Sequence, residues 1–163
     1  MGSRMKRTMT LLTLLVCLAG AAQAQARDDQ PYTLLGLLAG GLSGGVSAHQ
    51  YGAELLQVEP GGLSGRVYVG ALTSGGTVWA ETEIGPALVL RISPDFSLVP
   101  TGGVNGGIRS GNTVWGLHAV MGATWQAGPY LAVRAQLGRR WWRGGGTWVG
   151  LTQWTLGLSY RLP

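Results

Sequence analysis

The two histidines are the first side chains to test for chemistry, because an imidazole can act as a general base near neutral pH. His49 follows Ser47 and precedes Glu54, so that a hydroxyl, an imidazole and a carboxylate could meet. His118 is followed by Ala119 and Val120, which supply no nucleophile. With 2 histidines in 163 residues, such proximity arises easily by chance. The sequence therefore predicts that the protein is not an enzyme, with His49 and His118 as weak catalytic candidates.

Metal and cofactor sites have little support in the sequence. Two separated histidines, without Cys or a carboxylate pair at helix or hairpin spacing, cannot complete a coordination shell. The glycine-rich run 40–45 superficially resembles a phosphate loop, but neither the following Lys nor a helix is present. A hairpin turn is the better interpretation, so we expect no metal and no cofactor.

The densest basic and aromatic cluster is Arg139-Arg140-Trp141-Trp142-Arg143. Arginines bind phosphates and aromatic rings stack on bases, which makes a nucleic-acid strand one candidate ligand. The formal charge of +5 includes Arg4, Lys6 and Arg7, however, so the rest of the chain is only weakly basic. We expect the cluster to meet anionic lipid headgroups at a membrane surface, and we expect no nucleic-acid partner.

The amino-terminal residues 1–26 are predicted to be a secretory signal peptide. Three basic residues precede the apolar run 11–22, which is too short for a membrane helix and is followed by small residues. We expect cleavage after Ala24 or Ala26 and export by the general secretory route. Cys17 has no small residue directly before it, so a lipoprotein is disfavoured. The domain organisation predicted is a short leader at 27–31 and one β-barrel domain at 32–163.

Turn-forming clusters recur along the remaining chain at intervals that leave room for one strand each. The predicted strands cover residues 32–42, 47–59, 63–73, 77–92, 96–109, 112–125, 128–142 and 147–162. Most are longer than strands of soluble sheets and suit a tilted membrane strand of about 9 to 11 residues. The predicted fold class is all-β, a single closed antiparallel up-and-down transmembrane barrel, most simply of eight strands.

Apolar and polar residues alternate along these segments, as expected for strands with two different faces. Leu131, Val133 and Leu137 share one face of the seventh segment, whereas Arg134 and Arg140 share the other. Charged residues gather on the second face, which we assign to the lumen: Glu54, Arg66, Glu81, Glu83, Arg91, Arg109, Arg134, Arg140 and Arg161. Because an unpaired charge is costly inside a membrane, we predict an internal network of Arg and Glu that plugs the barrel.

Other features of the lumen face concern its filling. Gly70, Gly103, Gly107, Gly116 and Gly122 are expected to point inward beside larger neighbours, because a narrow barrel has room only for side chains. Tyr68 and Trp79 fall on the same face. Either they fill the barrel, or the assignment of inward and outward residues is wrong in their strands. The plugged interior predicts a barrel that does not conduct ions.

Aromatic residues on the other face are spaced as two rings at membrane interfaces would require. Trp115 and Trp125 share a face and, at ~3.3 Å per residue and a tilt near 40°, are separated by about 25 Å along the membrane normal. That is the height of the apolar band of an outer-membrane barrel. The predicted membrane-interface aromatics are Trp115, Trp125, Trp141, Trp148 and Tyr160.

The signal, the alternating segments and the ending Leu156-Gly157-Leu158-Ser159-Tyr160-Arg161-Leu162-Pro163 together resemble the small eight-stranded outer-membrane β-barrel proteins of OmpA-like and OmpX-like architecture. The resemblance implies an outer-membrane location, outer-membrane lipid as a partner and the barrel-insertion machinery as a partner during assembly. Such proteins usually end in an aromatic residue, whereas Tyr160 is the last aromatic of this chain.

Three functions are compatible with these features. The favoured one is a structural or envelope-interaction barrel. Only the segments 40–50 and 143–146 have the reach for external contacts, so we expect little adhesive function. The first alternative is a lipid-modifying barrel enzyme of the lipid A deacylase or acyltransferase class, although the deacylases carry a His-x-Ser pair where this chain has His118-Ala119-Val120. The second is a soluble periplasmic ligand-binding barrel.

Overall fold

A computed structural model describes residues 31–59, 62–109, 112–144 and 146–162. The predicted signal peptide and residues 27–30 of the predicted leader lie outside the described residues. Within the described part of the chain, no helix is long and apolar enough to cross a membrane.

The described residues form one antiparallel sheet that closes on itself. Its strands are β1 (Tyr32–Ser43), β2 (Ala48–Val58), β3 (Ser64–Ser74), β4 (Thr77–Ala87), β5 (Leu90–Arg91), β6 (Phe96–Arg109), β7 (Asn112–Gln126), β8 (Leu131–Gly144) and β9 (Thr147–Leu162). Consecutive strands pair with each other except β4 and β5, which both pair with β6, and β1 pairs with β9. The pairing of β4 with β6 closes the barrel. The short β5 continues the register of β4 against β6. Because β4 and β5 together take the place of one strand, the barrel is eight-stranded.

The eight predicted segments are confirmed, with two boundaries that differ by three residues or more and smaller shifts elsewhere. The fourth segment was expected to run unbroken to residue 92, but β4 ends at Ala87 and only Leu90–Arg91 pair beyond it. Pro86 and Pro100 lie in the facing segments, and neither has a backbone N–H for the ladder. The seventh segment begins at Leu131 and not at 128, because the N–H of Ala127 bonds to the carbonyl of Leu131 and closes a turn.

The barrel has two distinct ends. The terminal end holds both ends of the described barrel, at Tyr32 and Leu162, and the connections from β2 to β3, from β5 to β6 and from β7 to β8. The distal end holds the connections from β1 to β2, from β3 to β4, from β6 to β7 and from β8 to β9. In the turn at 75–76 both glycines have positive φ, as the two-residue turn of a hairpin requires.

The two faces of the sheet have opposite chemistry. On the outer face, Leu37, Leu137 and Leu156 are 71%, 62% and 56% exposed. On the inner face, Glu83, Arg134 and Arg140 are 0% exposed. A protein surrounded by water would gain free energy from the reverse arrangement, because buried charges cost desolvation and exposed apolar surface is unfavourable in water. The arrangement is that of a transmembrane barrel surrounded by lipid.

Inward glycines make room for large side chains in the narrow lumen. The ring of Tyr68 is fully buried and occupies the space in which a Cβ on Gly70 or Gly52 would lie. Gly85 and Gly103 serve a different purpose, since the backbones of β4 and β6 approach so closely there that a Cβ on either glycine would contact the other strand's backbone at 2.7–2.8 Å. Tyr68 therefore fills the barrel, and its assignment to the inner face is correct.

Candidate functional site in the barrel lumen

The lumen near the terminal end is filled by apolar side chains. The buried members of this apolar plug are Leu34, Leu56, Val58, Ala87 and Val99, against which Tyr32 and Val89 pack. Leu56 and Val58 share the inner face of β2 with Glu54, so an apolar and a charged layer follow each other along one strand. These side chains narrow the lumen at this level, where Thr124 and Gln126 also line the small cavity that remains.

Above the apolar plug lies a chain of ion pairs, here called the ion-pair cluster, in which cations and anions alternate. Its order is Arg134, Glu54, Arg66, Glu83, Arg140 and Glu81. Three arginines face three glutamates, so the cluster carries no net formal charge. Each of the six side chains is at most 1% exposed. Each charge has at least one partner of opposite sign, which offsets much of the desolvation cost of burying it, although Oε1 of Glu81 and Nε and Nη2 of Arg134 have no hydrogen-bond partner among the described residues.

The ion-pair cluster connects opposite walls of the barrel. Arg66 on β3 is held between its neighbours in the sheet, since its Nε donates to Glu54 on β2 and its Nη1 donates to Glu83 on β4 at 2.5 Å. Arg140 on β8 reaches across the lumen to β4, where its Nη1 lies 2.5 Å from Oε2 of Glu81 and its Nη2 pairs with Glu83. Arg134, also on β8, pairs with Glu54 on β2.

Neutral polar side chains complete this layer. Gln136 donates from Nε2 to Glu54 at 2.7 Å, and its Oε1 accepts from Thr155 at 3.1 Å. Gln153 accepts a hydrogen bond from Nε of Arg140 at 2.7 Å. The alternation of the sequence placed Gln136 and Gln153 on the inner face, but their role as acceptors and donors within the cluster was not predicted.

The structure brings together six of the nine charged residues that the sequence assigned to the lumen. Arg161 is outside the cluster, with its guanidinium 4.0 Å from the centre of the Tyr32 ring at the terminal end. Arg91 is half-buried and lines a small cavity at the same end. Both lie at the terminal end of the barrel, next to residues that form or pack against the apolar plug. The side chain of Arg109 lies outside the described residues.

An apolar cavity of about 310 Å³ occupies the lumen at the distal end. Its walls are formed by inward side chains near the strand ends, and Leu42, Leu72, Trp142 and Leu151 are the buried ones. Trp79 also lines this cavity, so its assignment to the inner face is correct too. The distal cavity was not predicted, although the alternation along the strands places these apolar residues on the inner face and could have indicated it.

The five predicted interface aromatics all lie on the outer face, and each is between 38% and 54% exposed. Trp115, Trp141 and Trp148 lie towards the distal end, and Trp125 and Tyr160 towards the terminal end. Trp115 packs edge-on against Trp148 with ring centres 5.3 Å apart.

The basic and aromatic cluster at 139–143 is divided between the two faces of β8. Arg139, Trp141 and Arg143 are exposed on the outer face, whereas Arg140 and Trp142 are buried in the lumen. The guanidinium of Arg143 lies 5.7 Å from the ring centre of Trp115. Only the outward residues of this cluster can contact a lipid headgroup. The two inward residues fill the lumen.

The two histidines lie on opposite faces of the barrel. His49 is exposed on the outer face of β2, whereas Glu54 is buried in the ion-pair cluster, so the structure does not bring Ser47, His49 and Glu54 together as a triad. His118 is 3% exposed in the lumen, and its register partners are Gly103 and Arg140, neither of which is a nucleophile. Among the described residues, no group of three or more His, Cys, Asp and Glu could hold a metal ion.

The distal turns are shorter than the sequence suggested. The segment 40–50 was expected to reach outward, but β1 runs to Ser43 and β2 begins at Ala48. Arg143 likewise belongs to β8, and β9 begins at Thr147. Gly40 and Gly41 continue β1 and Gly144 continues β8, so that little chain remains for an extended loop.

Comparison with known proteins supports the fold. No protein-family model and no curated protein matches the chain. The amino-terminal β-barrel domain of Pseudomonas aeruginosa OprF superposes with a TM-score of 0.62 at 12% identity, covering 82% of this chain and 100% of that one. Neisserial surface protein A gives 0.56 at 11% identity, covering 81% and 96%. A de novo designed transmembrane β-barrel gives 0.54 at 19%, covering 80% and 95%.

The chain therefore has the fold of the small eight-stranded outer-membrane β-barrels, and the resemblance predicted from the sequence is confirmed for the fold. Its apolar outer face and charged lumen are those of a transmembrane barrel of this class.

Proposed function

We propose that this protein is a closed barrel of the outer membrane with a structural or envelope-interaction role. The observation that carries the proposal is the ion-pair cluster, because six buried charges, each paired with at least one of opposite sign, link β2, β3, β4 and β8 and occupy the lumen where a pore would need water. The apolar plug beneath it adds a second obstruction. A barrel with these two layers holds its own shape in a bilayer without transporting ions.

The proposal includes the route by which the protein reaches the membrane. Export follows the general secretory pathway with removal of the signal after Ala24 or Ala26, and the barrel-insertion machinery then assembles residues 32–163. Amino-terminal sequencing of the protein from purified outer membranes should begin at residue 25 or 27. A chain that still carries the apolar run 11–22 would contradict this part of the proposal.

Outer-membrane lipid is the partner proposed for the outer face. Arg139 and Arg143 lie beside Trp141 and Trp115 towards the distal end, which faces outward if the termini are periplasmic. Arginines next to interfacial aromatic rings are suited to anionic headgroup phosphates. Replacing both arginines by Gln should weaken retention of anionic lipid in the purified protein, whereas Arg161→Gln at the terminal end should not.

Fractionation and lipid analysis test the proposal against its two alternatives. Recovery in the detergent-soluble outer membrane is expected, whereas recovery in the soluble periplasm would support the ligand-binding alternative. Mass spectrometry of envelope lipids should give the same acyl pattern for the unchanged protein and for His49→Ala and His118→Ala variants. A pattern that depends on either histidine would support the lipid-modifying enzyme.

A further inference from the structure

We propose that the distal cavity is a binding site for one uncharged, mainly aliphatic molecule, such as a medium-chain alcohol. This inference goes beyond the structural role proposed above and does not depend on it. It rests on the composition, size and shape of the cavity.

The lining of the distal cavity is apolar apart from one hydroxyl. Leucine, valine and alanine side chains and the rings of Trp79 and Trp142 form its walls, and no charged residue lines it. The hydroxyl of Ser74 is already used, since it donates to the carbonyl of Ser47 at 2.7 Å. Transfer of an aliphatic group from water into such walls is favourable, whereas an unpaired charge would be disfavoured.

The size of the distal cavity fits a molecule of intermediate length. A volume of about 310 Å³ is roughly twice that of an apolar cavity of about 150 Å³ that accommodates benzene. It also lies at the lower end of the range of about 300 to 1,000 Å³ typical of small-molecule sites. The cavity therefore holds a chain of about ten carbon atoms more readily than a complete lipid.

Trp142 contributes its ring to the buried part of the cavity wall. The residue is 8% exposed, and the far edge of its ring is seated over Gly107, where an added Cβ would lie 2.8 Å and 2.9 Å from two ring carbons. Its indole N–H is buried behind the cavity surface, so a ligand would contact the apolar ring and not this donor.

The distal cavity is open at one end and closed at the other. Its mouth lies among the short distal turns, where Val46 and Ser74 line it and no long loop lies between the flanking strands. Its inner end is closed by the layer that contains Arg140 and Gln153, both 0% exposed. A ligand can enter from the distal side and be retained, but has no passage to the terminal end.

Binding can be measured on the folded full-length barrel in phosphatidylcholine nanodiscs with 15N-labelled indoles. Titration with n-decanol should shift the Trp142 and Trp79 signals saturably, while the outward Trp115, Trp125 and Trp148 change only in proportion to the decanol dissolved in lipid.

Two alanines of β2 provide a matched pair of variants. Ala48 lines the cavity, whereas Ala53 is exposed on the outer face of the same strand. Ala48→Phe should abolish the saturable shift of Trp79 and Trp142, and Ala53→Phe should leave it unchanged. Both variants should retain the folded spectrum of the remaining signals; if Ala48→Phe does not fold, Leu72→Phe serves the same purpose.

Three results would overturn the inference. The first is no saturable shift of Trp142 or Trp79, and the second is an equal shift of the outward tryptophans, which would mean partition into the bilayer only. The third is a saturable shift that survives in the variant that fills the cavity, which would place the probe elsewhere.

Discussion

Arg140 and Glu83 form an ion pair between β8 and β4, two strands that are not neighbours in the sheet. The pair therefore crosses the lumen, and both side chains are fully buried there. Backbone hydrogen bonds fix only adjacent strands, so this contact ties opposite walls together by side chains alone. It also fills the space that a water column would need.

Removing the anions on β4 should destabilise the barrel. In the Glu81→Gln, Glu83→Gln variant, Arg140 loses both of its carboxylate partners and Arg66 loses one. A buried cation left unpaired costs about 3–5 kcal/mol, so the free energy of unfolding should fall by at least that amount. Urea titration in lipid, followed by the heat-dependent shift in gel mobility, measures it. Glu59→Gln, the same change outside the cluster, should cost less than about 0.5 kcal/mol.

The coupling between Arg140 and Glu83 can be separated from their individual contributions. Arg140→Met and Glu83→Gln should each be strongly destabilising, but the double variant should cost less than the sum of the two. The expected coupling is about 1–3 kcal/mol, because the second change removes a charge that the first has left unpaired. Strict additivity would mean that the two side chains do not interact in the folded protein.

Two arginines of β8 provide a contrast between the lumen and the outer face. Arg134 is fully buried against Glu54, whereas Arg139 is exposed and its Nη1 donates to Thr152 at 2.8 Å. Arg134→Met should therefore cost several kcal/mol and Arg139→Met about 1 kcal/mol or less. The same unfolding titration measures both. Equal effects would show that the assignment of the two faces is wrong.

The contact between β4 and β6 should depend on glycine. In Gly103→Val the new side chain would meet the backbone of Ile84 and Gly85, which cannot move without separating the strands that close the barrel. We expect a loss of about 1–3 kcal/mol or a failure to fold. Gly106 lies on the same strand, and the atoms nearest to the position that an added Cβ would take are 3.9 Å away from it. Gly106→Val is therefore the control and should fold normally.

The free-energy cost of a charged substitution on the lipid-facing surface should depend on its depth in the bilayer. Leu156 lies near the middle of β9 on the outer face, and Leu156→Arg should cost about 2–4 kcal/mol. Thr113 lies on the outer face of β7, two residues beyond Trp115 towards the distal end, and Thr113→Arg should cost about 0–1 kcal/mol. Folding titrations into lipid vesicles compare them. A similar small cost at both positions would argue against a membrane-spanning band.

The strands of the barrel and their two faces could be predicted from the sequence, because the alternation of apolar and polar side chains along a strand is a local property. Each strand displays it independently, and the glycine-rich turns mark where one strand ends. The partners inside the lumen were beyond local pattern, since whether Arg134 meets Glu54 depends on barrel closure and on the stagger of strands far apart in the chain. The distal cavity was missed for the same reason, because Leu42 and Leu151 become neighbours only when β1 and β9 pair.

Planar-bilayer recording of the folded, unmodified protein tests the closed lumen most directly. With the ion-pair cluster and the apolar plug both in place, we predict no steady conductance above that of the protein-free bilayer at either polarity. Heat-dependent gel mobility of the same sample verifies that the barrel is folded and inserted. Steady, discrete conductance that the Glu81→Gln, Glu83→Gln variant alters without loss of folding would contradict the account, because it would mean that water and ions pass the cluster.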